Sequence, residues 1–174
     1  GNYLELPSEM FRGLNAATVE CWVKWQSFKG NEHVFEFDAR KRVKVGNEAG
    51  NGDLELRAAA LTSDVPAATH LGGDALGISA EPLPPKRDEK APAAVEKDDV
   101  ISKTGALRLK EWHHLAVSCD GSGTRLYLDG ALVGNAAYTS GLATVNGPNR
   151  HFLGSCSLYP NNSFHGQFKE VRLW

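Results

Sequence analysis

Glu36 and Asp38 stand two residues apart in Glu36-Phe37-Asp38-Ala39-Arg40-Lys41, and on an extended strand residues at that spacing share a face. Acids lined along one groove are the raw material of glycosidic bond cleavage. That reaction takes one carboxylate as nucleophile and a second, about 5.5 Å away, as acid and base. The residues that follow, Ala39-Arg40-Lys41, add cations and no further acid. An ammonium group with an ordinary pKa of about 10.4 is a poor proton donor to a leaving oxygen. The chain is therefore not expected to be an enzyme.

The other chemistry-bearing residues are more scattered. His113 and His114 are adjacent beside Trp112, and neighbours on a strand point to opposite faces, so they do not share one metal ion. His33, His70, His151 and His165 form no ligand spacing, and Cys21, Cys119 and Cys156 fit no zinc motif. Zinc is not expected. Three cysteines allow one bridge at most. Cys21 and Cys119 fall on the apolar phase of strand-like runs, which favours buried thiols over a disulfide and leaves the compartment open. A sugar would need an exposed aromatic plate beside hydrogen-bonding groups. Trp25, Phe28 and Tyr159 lie near loop boundaries and are the ligand-binding candidates, whereas Trp22 and Trp112 are expected in the core.

The elements that must position these residues read as strands. In Thr18-Val19-Glu20-Cys21-Trp22-Val23-Lys24, Val19, Cys21 and Val23 fall on one face and Thr18, Glu20 and Lys24 on the other, with Trp22 interrupting the polar side. The same period returns at Val34–Phe37, Val43–Val45, Leu54–Leu56 and Leu115–Cys119, each bounded by Gly, Asn or Asp. Asp129-Gly130, between Leu126-Tyr127-Leu128 and Ala131-Leu132-Val133, predicts a tight hairpin with a type I′ turn. Phe168 is out of phase with Val171 and Leu173, which predicts a bulge near Lys169-Glu170. Only Ser8–Arg12 suggests a helical turn. From about Thr62 to Thr104 alternation is lost and prolines and charge runs take over. This reads as a long surface insertion, mobile at least from Glu81 to Asp99.

A chain of 174 residues suits a single domain spanning 1–174. A net charge of -2 offers no electrostatic footprint for nucleic acid. No apolar run approaches the ~20 residues that span a bilayer, and the start lacks the pattern of a signal peptide. Neither nucleic acid nor membrane insertion is expected.

Several segments, in order, resemble the laminin G-like, concanavalin A-like domain family. They are Asn2–Pro7, Thr18–Lys24 (T-V-x-x-W-V-K), Glu111–Val117 (W-H-H-V-A-V), Arg125–Gly134 (L-Y-V-D-G-x-L-V-G) and Phe164–Trp174 (F-x-G-x-I-D-E-V-R-I-W). The resemblance implies an all-β fold, a jelly-roll sandwich of two antiparallel sheets with the first and last strands close together, carrying the insertion as a surface excursion. Glycoside hydrolases of this architecture carry E-x-D-x-x-E, from which this chain departs at Lys41. Many such domains hold calcium at the sandwich rim, which would make Asn31, Asp38, Asp120 and Asn161 metal candidates; the bland alternative is that they form turns.

The function expected is noncatalytic recognition of a glycan or protein at the rim loops, with calcium as a possible aid. The alternative is a structural or protein-interaction domain of a larger chain, touching neighbouring domains and contacting a partner through the proline-rich insertion. The motif runs flush to Trp174, as expected of one module of a longer protein. The resemblance slightly favours an extracellular or cell-surface location, and an intracellular one is not excluded.

Overall fold

The computed structural model describes residues 3–37, 43–58, 99–138, 142, 150–156 and 163–174. Tyr159, Asp38 and Asn161 lie outside them, as does nearly all of the expected insertion. The strands are β1 (Leu4–Leu6), β2 (Ala17–Trp25), β3 (His33–Phe37), β4 (Val43–Glu48), β5 (Asp53–Ala58), β6 (Asp99–Lys103), β7 (His113–Asp120), β8 (Gly123–Leu128), β9 (Ala131–Ala136), β10 (His151–Leu153) and β11 (Gly166–Leu173). They form two antiparallel sheets. The six-stranded sheet has the order β1-β10-β3-β4-β5-β6, and the five-stranded sheet β11-β2-β7-β8-β9.

Alternation builds the core. Along β2, Ala17, Val19, Cys21, Val23 and Trp25 are buried and every second residue is half-exposed. Pairing repeats the pattern sideways: Cys21 faces Leu115, and Leu115 faces Leu128. From the opposite sheet Phe35, Phe37, Val43, Val45, Leu54 and Leu56 close the interior. Apolar side chains from both inner faces leave water together, which is the main favourable term in folding such a sandwich.

Two local devices follow the sequence reading. Asp129 and Gly130 have φ of 51° and 80°, the two positive values that a type I′ turn requires. In β11 the register shifts between Lys169 and Arg172, and Glu170 adopts φ 54°. The extra residue lets Phe168 and Leu173, five apart and out of phase in a regular strand, both pack on the core. Around Ser8–Arg12 there are turns rather than a helix, with N–H groups of Met10 and Arg12 donated to Pro7 and Glu9 carbonyls at 3.2 and 3.0 Å.

The last residues of the range expected as insertion form a strand. Asp99–Lys103 is β6, paired with β5 through Ile101 opposite Leu56. Only Ile101 of this strand is buried, so an edge strand with four polar or exposed residues looks like loop in sequence. Ile101 also lies where the two sheets meet: a Cβ on Gly134 of β9 would stand 2.8 Å from Ile101 Cγ2. The first and last strands line one seam, with Leu4 and Leu6 of β1 beside Val171 and Leu173 of β11 around an apolar cleft of about 260 Å³.

Candidate functional site

The outer faces of the two sheets differ. On the six-stranded sheet all five residues of β3 are buried, including those that point away from the core. Glu36 lies in register between Phe152 of β10 and Lys44 of β4. Its in-register neighbours are thus an aromatic ring and an amine, not a second acid. Asp38 and Lys41 are outside the described residues.

Beside Glu36 the fold assembles something the spacing did not suggest. His33 and Glu36 are three apart and would point to opposite faces of a regular strand. The pairing with β4 slips between His33 and Phe35, so that His33 is opposite Gly46 and Phe35 opposite Val45. This irregularity turns His33 to the outer side with Glu36. Gly46 permits the close approach: a Cβ there would lie 1.9 Å from the Glu32 carbonyl oxygen. His33 Nδ1 is 4.0 Å from Glu36 Oε2. Cys156, just beyond β10, completes a group whose donor atoms all lie within 4.8 Å of one another. The three residues are 5%, 2% and 3% exposed. Next to His33 is a polar hollow of about 10 Å³ shared with Lys44, Gly46, Asn47, Glu48 and Glu55. No signal in the sequence links residues 33 and 156, because β10 enters the sheet between β1 and β3.

The rim candidates have structural duties. Trp25 is 0% exposed, and its indole N–H donates to Asn47 Oδ1 at 3.0 Å while the Asn47 amide donates to the Gly30 carbonyl at 2.8 Å. Its place at the end of β2 suggested a loop boundary, but its parity puts it on the inner face. The plate expected at Trp25 is therefore not there. Phe28 is half-buried, its ring 6.4 Å from that of Trp25. Asn31 accepts the Ala49 N–H at 2.8 Å and donates to Glu48 at 2.9 Å, tying the β2–β3 loop to the β4–β5 turn. Glu32, also buried, accepts N–H groups from Lys29 and His165 at 2.9 and 3.1 Å and lies 3.0 Å from His165 Nδ1.

Asp120 caps the β7–β8 turn, accepting the Ser122 N–H at 2.7 Å and the Arg125 guanidinium at 2.9 Å. Hydrogen bonds from the Ser122 hydroxyl and from Arg125 pull its carboxyl down to about 2. Cys119, next to Asp120, is opposite Ala17, whereas the Asn31 loop follows Trp25 at the other end of β2. The length of that nine-residue strand, roughly 26 Å, separates them. Asn31 and Asp120 cannot hold the same calcium ion.

The outer face of the five-stranded sheet is open and aromatic. Trp112, expected in the core, is 39% exposed, and the Lys24 ammonium sits 4.7 Å from its ring centre. Trp22 is half-exposed, with its ring 5.1 Å from His114. Glu20 lies between Arg172, at 3.3 Å, and His114, at 3.6 Å. A hydrogen bond from the Trp174 side chain, followed by those of Arg172, holds the Glu20 carboxyl below its usual range. Trp174 itself is 69% exposed. His113 and His114 point to opposite sides as predicted. The buried His113 accepts the Arg108 N–H at Nε2 at 3.0 Å, which leaves Nδ1 to donate to Asp129 at 2.9 Å. Cys21, Cys119 and Cys156 are buried and none forms a disulfide, and burial pushes the Cys21 thiol up to about 12.

No curated protein matches the chain in sequence. Solved structures match its fold. A candidate carbohydrate-binding protein from Bacteroides ovatus is 15% identical, with a TM-score of 0.60, over 99% of this chain and 40% of that one. Domain 4 of AbnA, a GH43 extracellular arabinanase from Geobacillus stearothermophilus, solved with arabinotriose, is 17% identical, with a TM-score of 0.56, over 98% and 65%. Domains LG4-5 of the mouse laminin alpha1 chain are 14% identical, with a TM-score of 0.59, over 99% and 38%. The chain thus spans less than two thirds of each of these structures. Among the described residues no helix is long and apolar enough to cross a membrane. The family model described as the concanavalin A-like lectin/glucanases superfamily matches residues 88–174, from within the expected insertion through β6–β11. With its second half matched in sequence, the chain belongs to the concanavalin A-like lectin/glucanases superfamily.

Proposed function

We propose that the chain is a noncatalytic recognition module that binds a glycan on the open face of its five-stranded sheet. The observation that carries this reading is the solvent-facing group of Trp112 and Trp22, bordered by Lys24, His114, Glu20 and Arg172. Sugar C–H faces pack on aromatic rings while hydroxyls take hydrogen bonds from charged neighbours at the ring edge. The described rim aromatics are committed to the core, which moves the site from rim to sheet face. The carbohydrate-binding description of the Bacteroides protein and the arabinotriose held by the arabinanase domain are consistent with a glycan ligand.

A glycan array probed with and without calcium, followed by titration of Trp112→Ala and Trp22→Ala, tests the proposal. Each variant is expected to weaken binding about tenfold, or ~1.4 kcal/mol. Recognition of no glycan, or binding indifferent to both changes, rejects the reading. Loss of binding on chelation would add calcium to it, with ligands other than an Asn31 and Asp120 pair.

A second reading, a protein-interaction domain of a longer polypeptide, is favoured by the seam between β1 and β11. There Tyr3, Leu4 and Val171 are exposed apolar side chains around a cleft of about 280 Å³. Leu4→Glu with Val171→Glu should abolish capture of neighbouring domains while leaving glycan binding intact if this is the working surface.

A further inference from the structure

We infer that His33, Glu36 and Cys156 form a binding site for a thiophilic divalent metal ion, zinc by preference, on the outer side of the six-stranded sheet. The inference is independent of the glycan reading, whose residues lie on the other sheet. Its ground is the convergence of imidazole, carboxylate and thiol from two distant parts of the chain, with all donor atoms within 4.8 Å of one another. A tetrahedral zinc ion with bonds of about 2.0 to 2.3 Å holds its ligands roughly 3.3 to 3.8 Å apart. The site therefore needs no more than about 1.5 Å of side-chain adjustment.

Charge and ligand type point the same way. A carboxylate and a thiolate around a divalent ion sum to zero, which suits groups that are all but excluded from water. Sulfur and imidazole nitrogen favour zinc over calcium, a hard ion that takes six to eight oxygens. Three protein ligands leave a fourth position that water can fill. The β3 irregularity and Gly46 are what put His33 in place, so a local departure from regular strand geometry serves the cluster. Lys44, in register with Glu36, is the competing counter-charge. A site satisfied by Lys44 alone would not take up metal.

Titration of the intact chain with Co²⁺, a spectroscopic substitute for zinc, distinguishes the two. One equivalent should bind with a thiolate-to-cobalt charge-transfer band and the visible spectrum of a tetrahedral ion, and one equivalent of Zn²⁺ should displace it. Cys156→Ser should remove the charge-transfer band, and His33→Gln should weaken binding at least tenfold, while Cys119→Ala leaves both unchanged. A second measurement needs no variant: stoichiometric Zn²⁺ should slow alkylation of Cys156 at least tenfold, reversibly with chelator, without changing the rates at Cys21 or Cys119. Absence of stoichiometric binding, a band that survives Cys156→Ser, or alkylation of Cys156 indifferent to Zn²⁺ would each overturn the assignment.

Discussion

The outer faces of the two sheets follow the same rule of alternation and end in opposite states. On the five-stranded sheet the outward residues of β2 and β7 meet solvent, so Trp22, Lys24 and His114 arrange themselves around exposed Trp112. On the six-stranded sheet the outward residues of β3 are covered, and His33 and Glu36 lie within reach of Cys156 in a nearly dry environment. Polar groups on the first face cost little to hold because water solvates them. On the second, burial makes each of them depend on the partners around it. The first face is the one proposed to meet a glycan, and the second the one proposed to hold a metal ion.

Substitutions should separate the interior and the two faces by size of effect. Trp25→Ala, at the inner boundary, should cost about 3 to 5 kcal/mol in chemical denaturation, since it opens a cavity and strands the Asn47 acceptor. Glu36→Ala on the closed face, measured without added metal, should cost about 2 to 3 kcal/mol by leaving buried polar partners unsatisfied. Trp112→Ala on the open face should cost about 1 kcal/mol, with the larger effect falling on binding. Equal costs for Glu36→Ala and Trp112→Ala would erase the distinction between closed and open.

The smallest effect is a titration. The Asp120 carboxyl is depressed to about 2 in the folded chain, so its hydrogen bonds stabilise fully above the unfolded value near 4 and are lost as pH falls through about 2. Carboxyl-detected NMR should find its midpoint near 2, and Asp120→Asn should flatten stability in that acid window alone. A midpoint at the ordinary aspartate value would remove the turn cap from the account.

Much of the fold was legible in local pattern. The alternation of Val19, Cys21 and Val23, the Asp129-Gly130 turn and the phase break before Val171 each depend on neighbours in sequence, and each is present as read. Tryptophan placement was legible only in part. Parity sends Trp25 inward with Val23 and leaves Trp22 outward, whereas proximity to a loop and the general habit of tryptophan point the other way. Edge strand β6 was missed because one buried side chain, Ile101, carries no period.

By itself the sequence determined the all-β character, the hairpins, the bulge in β11 and the identity of the family, because those rest on period-two patterning and turn chemistry that act over a few residues. Only the tertiary structure decided which outward face stays open, that Asn31 and Asp120 sit at opposite ends of a strand, and that residue 156 joins residues 33 and 36. These depend on strand order and on a slip in register. Nonlocal pairing sets both, and no local spacing encodes it.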